Sequence, residues 1–598
     1  MRRRMIFASL SLAASLAIVG CGSDGKPLKM SIYHINDSHS HLDSERMSFK
    51  LNGTKKIYYD AGGYARIATK LKALREKNPN SLTLHAGDVF QGTLYYSLYK
   101  GDADAAVMSK LGFDAYTLGN HSFDDGDDGY KHFLDKLLED GFDGSVLSAN
   151  IVPQEGNELV DYWKPYTIKE VGGQKVGIVG ITVSGKTKNS SNPSDEIAFL
   201  DELTTAQKYI DELEDKGVDK IILLTHQGYK TDMAMAKKLK GVDVIVGGDS
   251  HTYLGDFGDF ATASGEYPTK VEDANGDKVC IVQAGQYTKI LGDLDVAFDA
   301  DGRVESCSGT PIMLIGDKFL AKNDKGDKIE VDDTTKGEIL SEIRDLNGSV
   351  QIIAEDDSIA AALKPFKENI DVKKAEKIGT AAEELTHIRI PGHNYGDANG
   401  SLFPLGSEIA PIVAKAFYDE YKPADACIQN AGGVRISVPA GKISYGTAYE
   451  LLPFSNTIFE IKMTGSEVKQ VLEDALSNFA DKHGSTGSFP YAYGLRYAID
   501  MTKGKNQRIS ELEIKDRKSG AWSMIDSNKL YTIVTNSYIA GGKDGYTTFK
   551  TVQDARGGLD TYLDYAMSFV NYTKKLEKDG KQVKKLPDGD HCIKSFKE

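Results

Sequence analysis

Five short β-rich runs in the first half of the chain each break off into a tight turn carrying a side chain able to hold a metal ion. The endings are Asn36-Asp37-Ser38-His39, Ala86-Gly87-Asp88, Gly119-Asn120-His121, Thr225-His226-Gln227-Gly228 and Gly247-Gly248-Asp249-Ser250-His251. An α/β sheet accommodates such a series, because the loops beyond the carboxyl ends of its strands converge on one crevice. Residues as far apart in sequence as Asp37 and His251 can meet there. A single Asp after a strand is ordinarily a turn former or helix cap, and a single His a satisfied surface or core residue. Five in chain order, each beside Gly or Asn, point instead to a metal centre.

The rest of the first half agrees with that architecture. Leu28–Ile35, Ser81–His85, Asp114–Leu118, Lys175–Ile181, Lys220–Thr225, Val242–Val246 and Lys278–Ala284 read as strands, and Tyr64–Glu76 has the apolar spacing of a crossover helix. At 598 residues the chain exceeds what one core supports, so two domains are expected. A polar stretch over 316–350, then helical periodicity over Ile359–Ile370, predicts a helical linker at 355–373. The first domain then covers 28–354 and the second 374–572, with 573–598 as a polar surface tail. In the second, Ala426–Gln429, Phe459–Met463 and Leu530–Thr535 read as strands and Glu467–Leu476 as a helix.

With 40% hydrophobic and 27% charged residues the chain is globular, which excludes a disordered, collagen-like or polytopic membrane protein. A net charge of −15 speaks against polymeric nucleic acid as a partner. Residues 1–20 have the parts of an export signal: Arg2, Arg3 and Arg4, an apolar run from Met5 to Val19, and Gly20 before Cys21. This stretch resembles a bacterial lipoprotein signal. The resemblance implies acylation of Cys21, a tether over 21–27, and a membrane-anchored enzyme facing the periplasm or cell surface. Without Arg2, Arg3 and Arg4 the net charge moves from −15 to −18. No later apolar run reaches the ~18 residues of a membrane span, so the remainder is expected to be soluble. Cys280, Cys307, Cys427 and Cys592 allow three pairings, and the sequence does not choose among them.

The chemistry of the cluster favours two divalent ions. A carboxylate, for which Asp88 is the natural candidate, can bridge two cations while imidazoles and an amide oxygen complete each shell. Such a pair activates a shared water for attack on phosphorus with no protein nucleophile. His121 and Asp124, three residues apart, have the spacing at which a carboxylate orients an imidazole, unless Asp124 only caps a helix beginning near Asp125. His34, His41 and His85 flank the candidate ligands and read as supporting or surface groups.

The order Asp-x-His, Gly-Asp, Gly-Asn-His, His, Gly-Gly-x-x-His resembles the calcineurin-like metallophosphoesterases. Asn36-Asp37-Ser38-His39 and Gly119-Asn120-His121-Ser122-Phe123-Asp124 narrow the resemblance to the 5′-nucleotidase family, over nearly all of 28–572. It implies a four-layer α/β/β/α metallophosphoesterase domain joined by a helical linker to a smaller α/β nucleotide-specificity domain. It also implies two ions (Zn, Mn or Mg): Asp37, His39 and His251 on one, Asn120, His226 and Asp249 on the other, and Asp88 on both. His121 and Asp124 would assist the phosphoryl group and the leaving group. Position 249 departs from the pattern, since the family usually has His there; an aspartate shifts preference toward Mn²⁺ or Mg²⁺.

In the second half, Asn430-Ala431-Gly432-Gly433-Val434-Arg435 sets an amide and a guanidinium around glycines, a cradle for an anionic ligand. Pro453-Phe454-Ser455-Asn456 and Tyr538–Tyr546 add aromatic faces and a carboxylate. By resemblance, Asn430, Gly432 and Arg435 contact the nucleotide, Phe454 and Tyr538 sandwich the base, and Asp544 accepts from the ribose. The arginines many relatives carry before Leu/Met-Gly are missing from Ser401-Leu402-Phe403-Pro404-Leu405-Gly406, and Arg389 lies upstream out of register. The implied activity is phosphate release from nucleoside 5′-monophosphates, with UDP-sugars or nucleoside di- and triphosphates as further substrates. The alternatives are a 2′,3′-cyclic nucleotide phosphodiesterase/3′-nucleotidase, or an inactive surface binding lipoprotein of the same fold. Oligomeric state is not legible.

Overall fold

Strands that are apolar on both faces have to be covered on both faces, and the first domain meets that demand with two stacked sheets. Leu28–Ile35 buries every residue except Lys29, and Ile221–His226 buries all of its residues. The computed structural model describes residues 26–91, 93–323, 327–392, 403–454, 456–481 and 486–598. The export-type leader, Cys21, Ser401, Leu402 and Ser455 lie outside the described residues.

In an eleven-stranded sheet, Leu28–Ile35 runs parallel to Ser81–His85, followed by Ala115–Thr117 and Ser145–Leu147, and antiparallel to Ile290–Phe298. A six-stranded sheet holds Gln174–Thr182, Ile221–His226, Val244–Val246 and Lys278–Val282 in parallel. Ile32, Leu84 and Leu294 of the first sheet pack against Ile178, Leu224 and Val282 of the second. Helices Tyr64–Lys77, Asp102–Leu111 and Gly126–Glu139 cover the outer face of the first sheet through Leu71, Val107 and Phe133. Glu202–Asp215 and Tyr229–Ala236 cover the second through Ile210, Leu213 and Met235. The layers are therefore α/β/β/α. A disulfide joins Cys280 of the second sheet to Cys307 on strand Val304–Ile315 of the first, while Cys427 and Cys592 are buried free thiols.

The polar stretch after residue 316 is built into the first sheet through strands Leu320–Lys322, Lys328–Glu330 and Val350–Ile352, with helix Asp333–Asp345 beside them. The segment expected as a linker contains helix Asp357–Lys374, capped by the Asp356 carboxylate, which accepts from Ser358 N and Ile359 N. It buries Ile359, Leu363 and Ile370.

The second domain has a five-stranded sheet in the order Pro490–Tyr493, Ala426–Asn430, Leu530–Asn536, Thr457–Thr464, Leu559–Asp564, and a four-stranded sheet beyond it. The C-terminal segment corrects the expectation of a surface tail over 573–598. Helix Tyr565–Lys578 runs well into it, and strand Ile593–Lys597 pairs in parallel with Leu495–Asp500. Its Lys- and Asp-rich composition conceals three anchors, since Val583, Cys592 and Ile593 are buried. Among the described residues no helix is long and apolar enough to cross a membrane.

Candidate metal centre and nucleoside pocket

The strand ends that carry the candidate ligands bend abruptly. Asp37, His39, Asp88, Asp249 and His251 all have positive φ, from 47° to 75°. Such backbone costs a non-glycine residue about 1–3 kcal/mol and persists where the surrounding structure over-determines it, typically at functional sites. Two glycines make the close approach possible. A Cβ on Gly119 would fall 2.0 Å from Asp88 Oδ1, and one on Gly248 would fall 2.3 Å from the Ala86 carbonyl oxygen.

The turns bring all seven candidate ligands together. Asp37 Oδ1 lies 3.1 Å from His251 Nε2 and 3.6 Å from His39 Nε2, and the two imidazole nitrogens are 3.1 Å apart. Asp88 Oδ2 lies 3.0 Å from His226 Nε2 and 3.8 Å from His39 Nε2, so it stands between the two groups. Asn120 Oδ1 and Asp249 Oδ1 complete the second group, at 3.3 and 3.8 Å from His226 Nε2.

Supporting contacts aim these groups inward. His226 Nδ1–H donates to the Ala86 carbonyl at 2.8 Å and His39 Nδ1–H to that of Phe90 at 3.3 Å, which directs each Nε2 at the cluster. Asn36 Nδ2 donates to Asp37 Oδ2 and to the Gly285 carbonyl, both at 2.6 Å, and so fixes the carboxylate. Burial pulls the His226 imidazole toward the neutral form, yet the Asp88 and Asp37 carboxylates push its pKa up to about 10. At His39, burial, helped by the His251 and His121 imidazoles, outweighs the Asp37 and Asp88 carboxylates and draws the pKa down to about 4. Asp88, although buried, is held far below the usual carboxylate range by His226 and His121. The donors are hard oxygens and inward-facing imidazoles, concentrated in a strongly negative pocket, and they suit divalent cations.

His121 Nδ1 meets Asp124 Oδ2 at 2.6 Å. Asp124 also accepts from Gln91 Nε2 at 2.6 Å and from the Ser191 hydroxyl at 2.9 Å. The adjoining helix Gly126–Glu139 takes Asp125, not Asp124, as its N-cap residue, so the capping alternative for Asp124 falls away. The flanking histidines are supporting groups: His34 bonds the Tyr267 hydroxyl at 2.9 Å, His85 bonds Ser38 Oγ at 3.1 Å, and His41 pairs with Glu45.

All six nucleotide-contact candidates, Asn430, Gly432, Arg435, Phe454, Tyr538 and Asp544, line one cavity of about 290 Å³. Phe454 and Tyr538 are 45% and 44% exposed, which rules out core packing as their role. Asp544 accepts from Asn430 Nδ2 at 3.0 Å and from the Tyr538 hydroxyl at 3.3 Å, and the Arg435 guanidinium lies 5.5 Å from the Phe454 ring centroid. Arg389, out of register in sequence, lines the same cavity.

Other residues at the site carry no sequence signal. Lys186 Nζ contacts Asp249 Oδ1 at 2.5 Å, and nothing in Gly185-Lys186-Thr187-Lys188 marks it. Tyr562 comes from the edge strand Leu559–Asp564 of the second domain, with φ of 54°, and its ring meets that of His121 edge-on at 4.0 Å. With Asp560 and Asp564 it lines a cavity of about 280 Å³ shared with His39, His121 and His251.

Comparison with known proteins gives the family. Residues 30–253 match the calcineurin-like phosphoesterase family and residues 377–551 match the 5′-nucleotidase C-terminal domain. The chain is 38% identical to an NAD 5′-nucleotidase of Haemophilus influenzae, over 96% of this chain and 93% of that one. It is also 38% identical to a probable 5′-nucleotidase of Treponema pallidum, over 94% and 95%. The solved structure of the Haemophilus influenzae NAD nucleotidase superimposes with a TM-score of 0.78 at 37% identity, covering 96% of this chain and 99% of that one. Paired phosphoesterase and nucleotidase domains, with likeness along nearly the full length, place the chain in the 5′-nucleotidase family, whose members are metal-dependent hydrolases acting on nucleotide monophosphates.

Proposed function

We propose that this chain is a two-ion phosphohydrolase that releases phosphate from nucleoside 5′-monophosphates. One observation carries the reading. The cavity at the metal cluster and the cavity lined by Phe454 and Tyr538 share Asn456 and Tyr538 as walls, so a nucleoside held by the rings extends its 5′ end toward His121 and the carboxylates. Asp37, His39, Asp88 and His251 would hold one ion, and Asp88, Asn120, His226 and Asp249 the other. Bound there, the ions would supply Lewis-acid polarisation of phosphoryl oxygens and acidify a shared water. His121, oriented by Asp124, holds a proton at Nε2 for a phosphoryl or leaving-group oxygen. Asn430, Gly432 and Arg435 orient the nucleotide, and Asp544 takes the ribose hydroxyls.

Cleavage of a pyrophosphate bond is a second reading. A further cavity of about 350 Å³ shares Phe454 with the nucleoside pocket and Asp564 with the metal-side cavity, which leaves space for a second half of a larger substrate. The name of the Haemophilus influenzae relative supports NAD, and UDP-sugars have the same linkage. We place the working boundaries at 28–354, 355–373 and from 374 onward. The leader and the Cys280–Cys307 bridge support export, and the Gly20-Cys21 ending supports a lipid on Cys21. Inorganic phosphate released from AMP and 3′-AMP, and mononucleotides formed from NAD, UDP-glucose and cyclic 2′,3′-AMP, should be measured with Mn²⁺, Zn²⁺ or Mg²⁺. AMP turnover with at least one metal is expected. Turnover of only 3′-AMP or the cyclic nucleotide, or of nothing, overturns the proposal. Cys21→Ser should move the protein from the membrane to the soluble fraction.

A further inference from the structure

Asp249 changes the charge of the centre as well as its donor type. Where the resemblance implies an imidazole, this chain adds a carboxylate to those of Asp37 and Asp88. Two divalent ions with two carboxylates present a phosphate with a net charge of about +2, and a third carboxylate reduces it to about +1. Lys186 makes up the difference. Its Nζ lies 2.5 Å from Asp249 Oδ1, with the side chain only 25% exposed, on the segment that follows strand Gln174–Thr182. The ammonium also stands 4.5 Å from the centroid of the Tyr562 ring, which is the ring that abuts His121. The cation is thereby held beside a candidate ligand and beside the group facing the phosphoryl position.

We propose that Lys186 and Asp249 form a charge-compensated pair that replaces the imidazole. Lys186 is then a positioning residue that steers the Asp249 carboxylate and restores the positive charge an incoming phosphate meets. The inference rests on the two-ion reading, which is tested separately by the number of Mn²⁺ bound per wild-type chain.

A structural ion pair and a charge-compensating one differ in sign. If Lys186 compensates charge, Lys186→Met relieves repulsion of the dication and also removes attraction for the anion. Mn²⁺ should then bind about tenfold more tightly at the weaker site, by competition with a chelator, while the Ki of inorganic phosphate against AMP rises about tenfold. Lys186→Arg keeps the charge and should hold both values within about threefold of wild type. In Lys186→Met with Asp249→His, phosphate inhibition should return to within about threefold of wild type. Parallel weakening of both affinities in Lys186→Met, as a merely structural role produces, overturns the proposal, and so does no change in either. Thermal melting of each variant separates loss of fold from loss of charge.

Discussion

His121 Nδ1 is bonded to Asp124 Oδ2 at 2.6 Å, and its other ring nitrogen, Nε2, is buried with no hydrogen-bond partner among the described residues. An orphaned, oriented nitrogen lining the metal-side cavity is positioned to meet an oxygen of a bound phosphate. Asp124→Asn keeps the shape and removes the charge that fixes the ring. It should lower kcat on AMP by about 10–100-fold with little change in Mn²⁺ affinity, because Asp124 lies outside the ligand cluster. Full kcat in this variant would remove the dyad from the mechanism.

The metal centre was the most legible part of the molecule. Its candidate ligands sit at the ends of strands, and strand ends are marked by apolar runs that stop at Gly, Asn or Asp. The parallel topology then obliges those ends to converge. Lys186 and Tyr562 were invisible for the opposite reason: neither belongs to a strand-end motif, and each reaches the site through a packing relation between distant segments. Arg389 shows the same limit, since only the fold brings it beside Asn430 and Asp544. The C-terminal segment misled because burial of a few residues, Cys592 and Ile593 above all, outweighs its polar composition once a neighbouring strand offers hydrogen bonds.

Phe454 and Tyr538 are half-exposed rings that line one cavity, an arrangement that leaves apolar surface in water unless a base covers it. Stacking on one ring contributes ~1–3 kcal/mol. Tyr538→Ala should therefore raise KM for AMP by about 5–150-fold with a much smaller effect on kcat. Hydrolysis of p-nitrophenyl phosphate, which has no nucleoside to stack, should be affected far less. Equal losses on both substrates would place Tyr538 in general support of the fold.

The Cys280–Cys307 bridge closes a loop with a sequence separation of 27 between the two sheets. Loop closure of that size stabilises by about 3.5 kcal/mol. Replacing both cysteines by Ser should lower the melting temperature by several degrees. It should leave KM for AMP unchanged at 25 °C, because the strand carboxyl ends remain held by the core on either side. An unchanged melting temperature with the thiols reduced would show that the bridge does not form in the native protein.

Asp104 is wholly buried on helix Asp102–Leu111. Its Oδ2 accepts from Ser40 at 3.1 Å, and Oδ1 has no partner among the described residues. Burial pushes its pKa up to about 8; the Ser40 hydroxyl only partly opposes this, and the charge of Asp102 adds to it. In the unfolded chain the carboxyl titrates near 3.9. Between about pH 4 and 8 the native state therefore keeps a proton that the unfolded state has released. The contribution of this group to stability is fully present below pH 4 and is lost as pH rises toward 8, by up to about 1.4 kcal/mol per pH unit. Asp104→Asn retains the acceptor for Ser40 and cannot ionise. Its stability relative to wild type should improve steadily from pH 5 to pH 8 and level off above, as followed by urea midpoints at each pH. A constant offset between the two proteins across that range would mean that Asp104 is already charged at pH 5 and that its pocket is wet.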